Sequence, residues 1–294
     1  MKPAPFEYLA PATLDEALAI LGQRADDAKA LAGGQSLVPL LNMRLARPAL
    51  LVDLSRLADL AYVRPDDGGV AIGALTRQRA LERPGPVAER VPLLAAAAAF
   101  IGHPAIRNRG TVGGSLAHAD PVSELPCVAL ALDAELIARR QSGERRIPAE
   151  TFFQSVFTTT LDPTEILTGV RIPALPPRTG WGFEELARRH GDFAILGVAA
   201  LLSLKSDGTI GSARLSYAGA ADRPLRAHKA EAALTGQRPS PETFEEAARL
   251  AATELDPPSD MHATATYRRT IAVVLTKRAL AAAQRRATEG TREG

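Results

Sequence analysis

Two stretches decide the fold: Ala32-Gly33-Gly34-Gln35-Ser36 and, further along, Thr111-Val112-Gly113-Gly114-Ser115. Each sets paired glycines before a small hydroxyl residue and an apolar run. Paired glycines permit positive φ and close backbone approach, so successive N–H groups can converge on an anion. Ser36, Thr111 and Ser115 add hydroxyl donors, and a helix starting after Ser36 would aim its positive end at the same ligand. A hydrogen bond to a charged phosphate contributes about 1.5–3 kcal/mol, so two such loops would hold a pyrophosphate firmly. The plainer alternative is that each is only a strand-to-helix turn. Neither is a G-x-G-x-x-G fingerprint or a P-loop. Both miss the last glycine of a G-x-S-x-G elbow, which disfavours a serine hydrolase.

Working outward, Thr13-Leu14-Asp15-Glu16 fits a capping box, and Leu14, Ala17, Leu18 and Leu21 then fall on one helical face. Ala28 to Leu31 reads as a strand, Leu37 to Leu45 as a helix and Leu50 to Leu54 as a buried strand, together a small α/β unit. A second unit begins near Leu60. It has a strand at Val70 to Leu75, an alanine-rich helix at Leu93 to Ile101 and a glycine turn at Gly110 to Ser115. A helix at Pro126 to Leu132 and strands at Ala134 to Arg139 and Ile166 to Ile172 follow. Pro173, Pro176 and Pro177 make a stiff break, the best domain boundary in the chain. Beyond it, Phe193 to Leu204 and Ile210 to Tyr217 flank Asp207-Gly208, a hairpin signal. Ser240-Pro241 starts a helix, and Ala263 to Ala287 forms a long one carrying Tyr267, Ile271, Val274, Leu275 and Leu280. The region is therefore an antiparallel sheet with helices, ending in a frayed polar tail from Thr288.

Composition narrows the function. A chain of 294 residues exceeds what one core usually organises. Its 35 basic and 33 acidic residues leave a formal charge of +2, too balanced for a general nucleic-acid or membrane-surface binder. The hydrophobic share of 46% is ample for buried cores. The single cysteine, Cys127, excludes an intrachain disulfide, a cysteine-ligated iron–sulfur cluster and a four-cysteine zinc site. Redox work would need an organic cofactor or a partner. The start MKPAPFEYLAP lacks the layout of a signal peptide and no apolar run spans a membrane, so the expected setting is cytoplasmic.

Other candidates are local. His118, Asp120 and Glu124 follow the second glycine stretch. They match no strong metal signature, and Glu124 suits a ligand's ribose or ribityl hydroxyls better. Arg107 and Arg109 would face phosphate or solvate a surface loop. Arg188, Arg189 and His190 abut the Gly191-Asp192-Phe193 turn. Cys127 reads as a small buried hydrophobe.

AGGQSLVPLLNMRLARP, IRNRGTVGGSLAHADPVSELP and RRHGDFAILGVAA resemble the FAD-binding medium subunit of the molybdenum hydroxylases, the xanthine dehydrogenase and aerobic carbon monoxide dehydrogenase family. The resemblance runs from Phe6 to about Leu280. It implies an α+β chain: a two-lobed α/β FAD-binding domain of the vanillyl-alcohol-oxidase type at 1–176, with lobes about 1–57 and 58–176. A C-terminal domain of antiparallel sheet and helices at 177–288 and a frayed tail at 289–294 complete it. Carried over by position, Ala32, Gly33, Gly34, Gln35, Ser36, Thr111, Val112, Gly113, Gly114 and Ser115 would hold the FAD pyrophosphate, flanked by Leu31 and Leu37. Ile101, Leu161 and Phe193 would line the flavin ring, while Asp120 and Glu124 would contact sugar or ribityl hydroxyls. Phe193 replaces a tyrosine of some relatives, and Glu184 and Glu185 fall where some place a lysine.

The family role implies an electron-transfer flavoprotein with no catalytic side chain and no metal of its own. Electrons would come from [2Fe-2S] clusters on a small subunit, substrate oxidation would sit on a large molybdenum-cofactor subunit, and quinone, NAD or oxygen would accept. The expected assembly is a dimer of heterotrimers. Competing readings are a self-sufficient FAD oxidase of the same flavin fold and a cofactor-less assembly subunit.

Overall fold

Thr13 caps the first helix as its sequence predicts: its hydroxyl accepts from the Glu16 N–H while the Glu16 carboxylate accepts from the Thr13 N–H. The structure, a computed structural model, describes residues 2–289. The first lobe runs β1 (Glu7–Leu9), α1 (Leu14–Gln23), β2 (Ala28–Leu31), α2 (Leu37–Asn42) and β3 (Leu50–Asp53). β3 lies between β1 and β2, parallel to both, and its apolar residues close with Ala17, Leu18 and Leu21 into a core of their own. α2 stops three residues short of Leu45. Arg44 turns left-handed with φ 59°, and Leu45 N–H caps the Leu40 carbonyl at 2.9 Å.

The second lobe contains β4 (Val63–Asp66), β5 (Gly69–Gly73), α3 (Pro86–Arg90), α4 (Pro92–Ala98), α5 (Pro104–Arg107), α6 (Val112–His118), α7 (Glu124–Ala131), β6 (Glu135–Arg140) and β7 (Gly143–Pro148). α8 (Ala149–Phe152), β8 (Phe153–Ser155), β9 (Thr158–Thr159) and β10 (Ile166–Ile172) complete it. Its five-stranded sheet, in the order β4-β5-β10-β6-β7, is antiparallel throughout. The sequence pattern finds its three inner strands, which are apolar, and misses the edges. β7, GERRIP, is exposed along nearly its whole length and leaves no alternation to find. The anticipated glycine turn at Gly110 to Ser115 is also different: Gly113 and Gly114 lie inside α6, with Thr111 as its N-cap.

β10 ends at Ile172 and β11 (Thr179–Ala187) opens the C-terminal region, followed by β12 (Ala194–Leu204), β13 (Ile210–Ala218), β14 (Leu225–Arg226), α9 (His228–Leu234), α10 (Pro241–Glu254) and α11 (Ala265–Glu289). Strand alternation divides the two faces of this antiparallel sheet. Leu196, Val198, Ala200, Leu202, Leu215 and Tyr217 pack under α9, α10 and α11. Phe183, Ala199, Leu201 and Ala218 belong instead to the core of the second lobe. The C-terminal sheet is thus packed onto the lobe and forms one of its walls. On α11, Leu275 and Leu280 are buried as expected, but Tyr267 and Val274 are exposed. The helix continues through Glu289, so the expected fraying at Thr288 and Glu289 is not found; 290–294 lie outside the described residues.

Candidate functional site

The first glycine stretch leaves β2 at Leu31, whose carbonyl is capped by Leu54 N–H at 2.9 Å. Gly34, at φ +74°, makes the reversal that an L side chain resists. α2 then begins with Val38 N–H on the Gly34 carbonyl at 3.0 Å, and the Gln35 amide folds back onto the Gly33 carbonyl at 3.2 Å. Among the described residues, the N–H groups of Gly33, Gly34, Gln35, Ser36 and Leu37 find no acceptor. The Ser36 hydroxyl makes no capping bond either. Five consecutive donors lie open on a turn that glycine bends, an arrangement suited to an anion.

The second stretch has the same residue grammar and a different use. Val112 N–H donates to the Thr76 carbonyl at 2.9 Å and Gly113 N–H to the Ala74 carbonyl at 2.8 Å. Gly114 N–H donates to Thr111 Oγ1 at 3.0 Å and Ser115 N–H to the Thr111 carbonyl at 3.1 Å. Four of its donors are therefore committed inside the protein. Neither Gly113 nor Gly114 has positive φ. Gly113 is needed for packing: a Cβ there would overlap Ala74 Cβ and lie 2.8 Å from its Cα. The two stretches abut, since a Cβ on Gly33 would come within 2.5 Å of the Arg109 carbonyl oxygen and one on Gly114 within 3.7 Å of Ala32 Cβ. The second stretch is the wall against which the donor loop rests, and the half-buried Ser115 hydroxyl has no hydrogen-bond partner among the described residues.

The remaining candidates gather around α4, α5 and α7. Arg107 is neither a phosphate ligand nor a solvated loop residue. It is 5% exposed, pairs with Glu82 at 2.6 Å, and donates to the carbonyls of Ile101 at 2.9 Å and Gly102 at 2.8 Å. It thereby fixes the turn that presents Ile101, itself almost buried in the lobe's core. The Gly191 turn packs on the same place: a Cβ on Gly191 would meet the His103 ring at 2.6 Å, and the His190 ring stands edge-on to Phe100 at 6.3 Å. This brings Phe193, 77% exposed, into the neighbourhood of Ile101. Leu161 is half-buried against the same core cluster, its N–H on Thr159 Oγ1 at 3.2 Å.

Asp120 accepts the Val122 N–H at 3.1 Å in a tight turn leading to α7. Glu124 opens that helix with 8% exposure and no side-chain partner, and burial, aided by the Asp120 charge, pushes its carboxyl up to about 7. A buried carboxyl met by the N–H of its own residue and by no other side chain is fitted to accept further hydroxyls from a ligand. His118 stacks on Phe157 at 4.7 Å, and burial lowers its pKa. Among the described residues no three His, Cys, Asp or Glu side chains group as a metal site. Cys127 is fully buried, its thiol pushed up to about 12 by burial, and so is inert. One residue of interest escapes sequence reasoning: Glu185 on β11, whose Oε2 is buried without a partner. Only the alternation of a strand not anticipated at this position would have placed it on the inner face.

Comparison with known proteins is consistent along the whole chain. Residues 4–175 match the model of the FAD binding domain in molybdopterin dehydrogenase, and residues 181–283 that of the CO dehydrogenase flavoprotein C-terminal domain. The chain is 44% identical to the 6-hydroxypseudooxynicotine dehydrogenase complex subunit alpha of Paenarthrobacter nicotinovorans, covering 98% of this chain and 97% of the relative. It is 38% identical to the carbon monoxide dehydrogenase medium chain of Hydrogenophaga pseudoflava over 96% and 98%. Among solved structures, carbon monoxide dehydrogenase of Hydrogenophaga pseudoflava superposes with a TM-score of 0.94 at 40% identity, covering 97% of this chain and 99% of that one. Quinoline 2-oxidoreductase of Pseudomonas putida 86 gives 0.92 at 37%, covering 98% and 99%.

Proposed function

The chain belongs to the FAD-binding medium-subunit family of molybdenum-containing dehydrogenases, and from that premise we propose that it is the electron-transfer flavoprotein subunit of such a complex. In this reading the flavin domain is of the two-lobed vanillyl-alcohol-oxidase type. FAD lies with its pyrophosphate on the open N–H groups of Gly33 to Leu37 and the hydroxyls of Ser36 and Ser115. Bound FAD supplies a carrier that exchanges electrons singly with iron–sulfur centres and in pairs with an acceptor. The observation that carries the reading is the run of five N–H groups, Gly33 to Leu37, that find no acceptor among the described residues.

Each residue then has a physical task. Gly34 bends the loop so that its donors converge. Gly113 and Gly114 let α6 pack closely enough to back that loop. Arg107 holds the Ile101 turn, so that Ile101, with Leu161 and Phe193, offers apolar surface to the ring. Asp120 and Glu124 accept the sugar or ribityl hydroxyls. No side chain here acts as general base, since substrate oxidation belongs to a large molybdenum-cofactor subunit. A small [2Fe-2S] subunit delivers electrons, and quinone, NAD or oxygen removes them, in a dimer of heterotrimers working in the cytoplasm. Among the described residues no helix is long and apolar enough to cross a membrane.

A visible absorption spectrum of the purified chain, alone and co-expressed with its neighbouring-gene subunits, tests this. Flavin bands, with iron–sulfur absorbance only in the complex, are expected. Colourless protein in both samples would overturn the proposal.

A further inference from the structure

Leu161, which the flavin reading sets against the ring, lies on the turn between β9 and β10, and that turn is anchored from two sides. On one side the Thr160 N–H donates to the carbonyl of the fully buried Phe152 at 2.9 Å. On the other stands Arg145, from the edge strand β7. Its Nε donates to Glu165 Oε1 at 2.7 Å, and its Nη2 donates both to Glu165 Oε2 at 2.7 Å and to the Thr160 carbonyl at 2.6 Å. Glu165 Oε2 in turn accepts the Asp162 N–H at 2.8 Å, while the Glu165 N–H closes on the Asp162 carbonyl at 2.9 Å. Leu161 is thus bracketed, since the residues before and after it are both tied to one ion pair.

The sheet explains how the arginine reaches this turn. Residues directly opposed in an antiparallel ladder share a face. Arg145 opposes Ala138 on β6, and Ala138 opposes Leu167 on β10, so the three form a row across the sheet. Only a methyl group, that of Ala138, stands in that row on β6. Glu165 lies two residues before Leu167, just ahead of β10. Its side chain is 2% exposed, whereas that of Arg145 is 44% exposed. An enclosed carboxylate is therefore held by a fork of donors that comes in from the surface, and that fork keeps its pKa below the usual carboxylate range. A guanidinium meets both carboxylate oxygens in one fixed plane, which a lysine ammonium does not.

We propose that Arg145 is a positioning residue of the flavin site that acts through Leu161: its pairing with Glu165 fixes the 160–162 turn and so the apolar surface that Leu161 offers the ring. This rests on the flavin reading above. The arrangement repeats what Arg107 and Glu82 do at the Ile101 turn, where the spare donors of an arginine–carboxylate pair also hold backbone carbonyls.

The test is a double-mutant cycle on FAD affinity in the full chain, with visible circular dichroism of the bound flavin recorded alongside. Leu161→Ala removes apolar contact and is expected to weaken FAD about tenfold. Arg145→Gln leaves Leu161 on a loosened turn, weakens FAD about fivefold and shifts the flavin's dichroic bands in the same sense. Arg145→Lys recovers part of both. In the Leu161→Ala background, Arg145→Gln adds less than about twofold. Effects that multiply in the double variant would overturn the proposal. So would unchanged affinity and flavin bands in Arg145→Gln, even with a lower melting temperature, because a purely structural ion pair does no more than that. Wild-type FAD binding by Leu161→Ala would remove the ring contact itself. Exchange of the Asp162 amide in the FAD-free chain reads the clamp without flavin, and is expected to be slow in wild type and faster in Arg145→Gln and Glu165→Gln. Equal rates in wild type and Arg145→Gln would refute the clamp. A wild-type chain that binds no FAD while Asp162 exchange responds as expected would refute the flavin reading and leave the clamp standing.

Discussion

The two glycine stretches are alike as strings and opposite as structures. In Gly33-Gly34 the backbone is bent by positive φ at Gly34 and leaves five N–H groups facing outward. In Gly113-Gly114 the backbone is ordinary helix, its first donors bonded to Thr76, Ala74 and Thr111, and glycine is there because α6 presses on Ala74. The lesson is that paired glycines report a need for missing side chains and not what fills the space. One stretch leaves its donors open; the other has its donors bonded within the protein and backs the first.

This contrast can be broken at either end. The largest effect is expected at Gly113→Val, whose branched side chain meets Ala74 backbone. Overpacking of this kind costs about 1–3 kcal/mol or more, and calorimetry should show a melting temperature lower by roughly 3–12 °C. A melting point within a degree of wild type would mean that α6 tolerates a shift away from β5. Next comes Gly34→Val, which strains a left-handed position by about 1–2 kcal/mol and moves the donors. FAD affinity should drop roughly a hundredfold, about two phosphate hydrogen bonds, while far-UV circular dichroism stays native. Ser36→Ala removes one hydroxyl donor, and a titration with FAD should read an affinity about tenfold lower with unchanged stability. The smallest effect is assigned to Thr111→Ala. Losing the N-cap costs about 1 kcal/mol, a few degrees of melting temperature, with FAD affinity altered less than by Ser36→Ala. If Thr111→Ala weakened FAD more than Ser36→Ala did, the division of labour drawn here would be reversed.

How far the sequence reveals this depends on distance along the chain. The capping box at Thr13 and Glu16 and the Ser240-Pro241 helix start are local, and both form as their residues dictate. The core face of α1 and the hairpin of β12 and β13 follow from periodicity for the same reason. Features that rest on remote partners were not legible. Arg107 looks like one of a surface pair until Glu82 and the Ile101 and Gly102 carbonyls are seen to enclose it. The exposed edge strand β7 carries no alternation, so its sequence gives no sign of the second sheet's edge. The polar tail hid the last residues of α11, whose buried Ala279, Ala283 and Ala287 keep the helix seated on the sheet.

The most direct test of the account is an amide proton and nitrogen correlation spectrum of the glycine-labelled chain, recorded without and with FAD. The Gly33 and Gly34 resonances should move strongly on binding, as free donors acquire phosphate acceptors. Gly113 and Gly114, already bonded within the protein, should move little and exchange slowly with solvent in both states. Large shifts at Gly113 and Gly114 with Gly33 and Gly34 unmoved would contradict the assignment of the first loop as the donor.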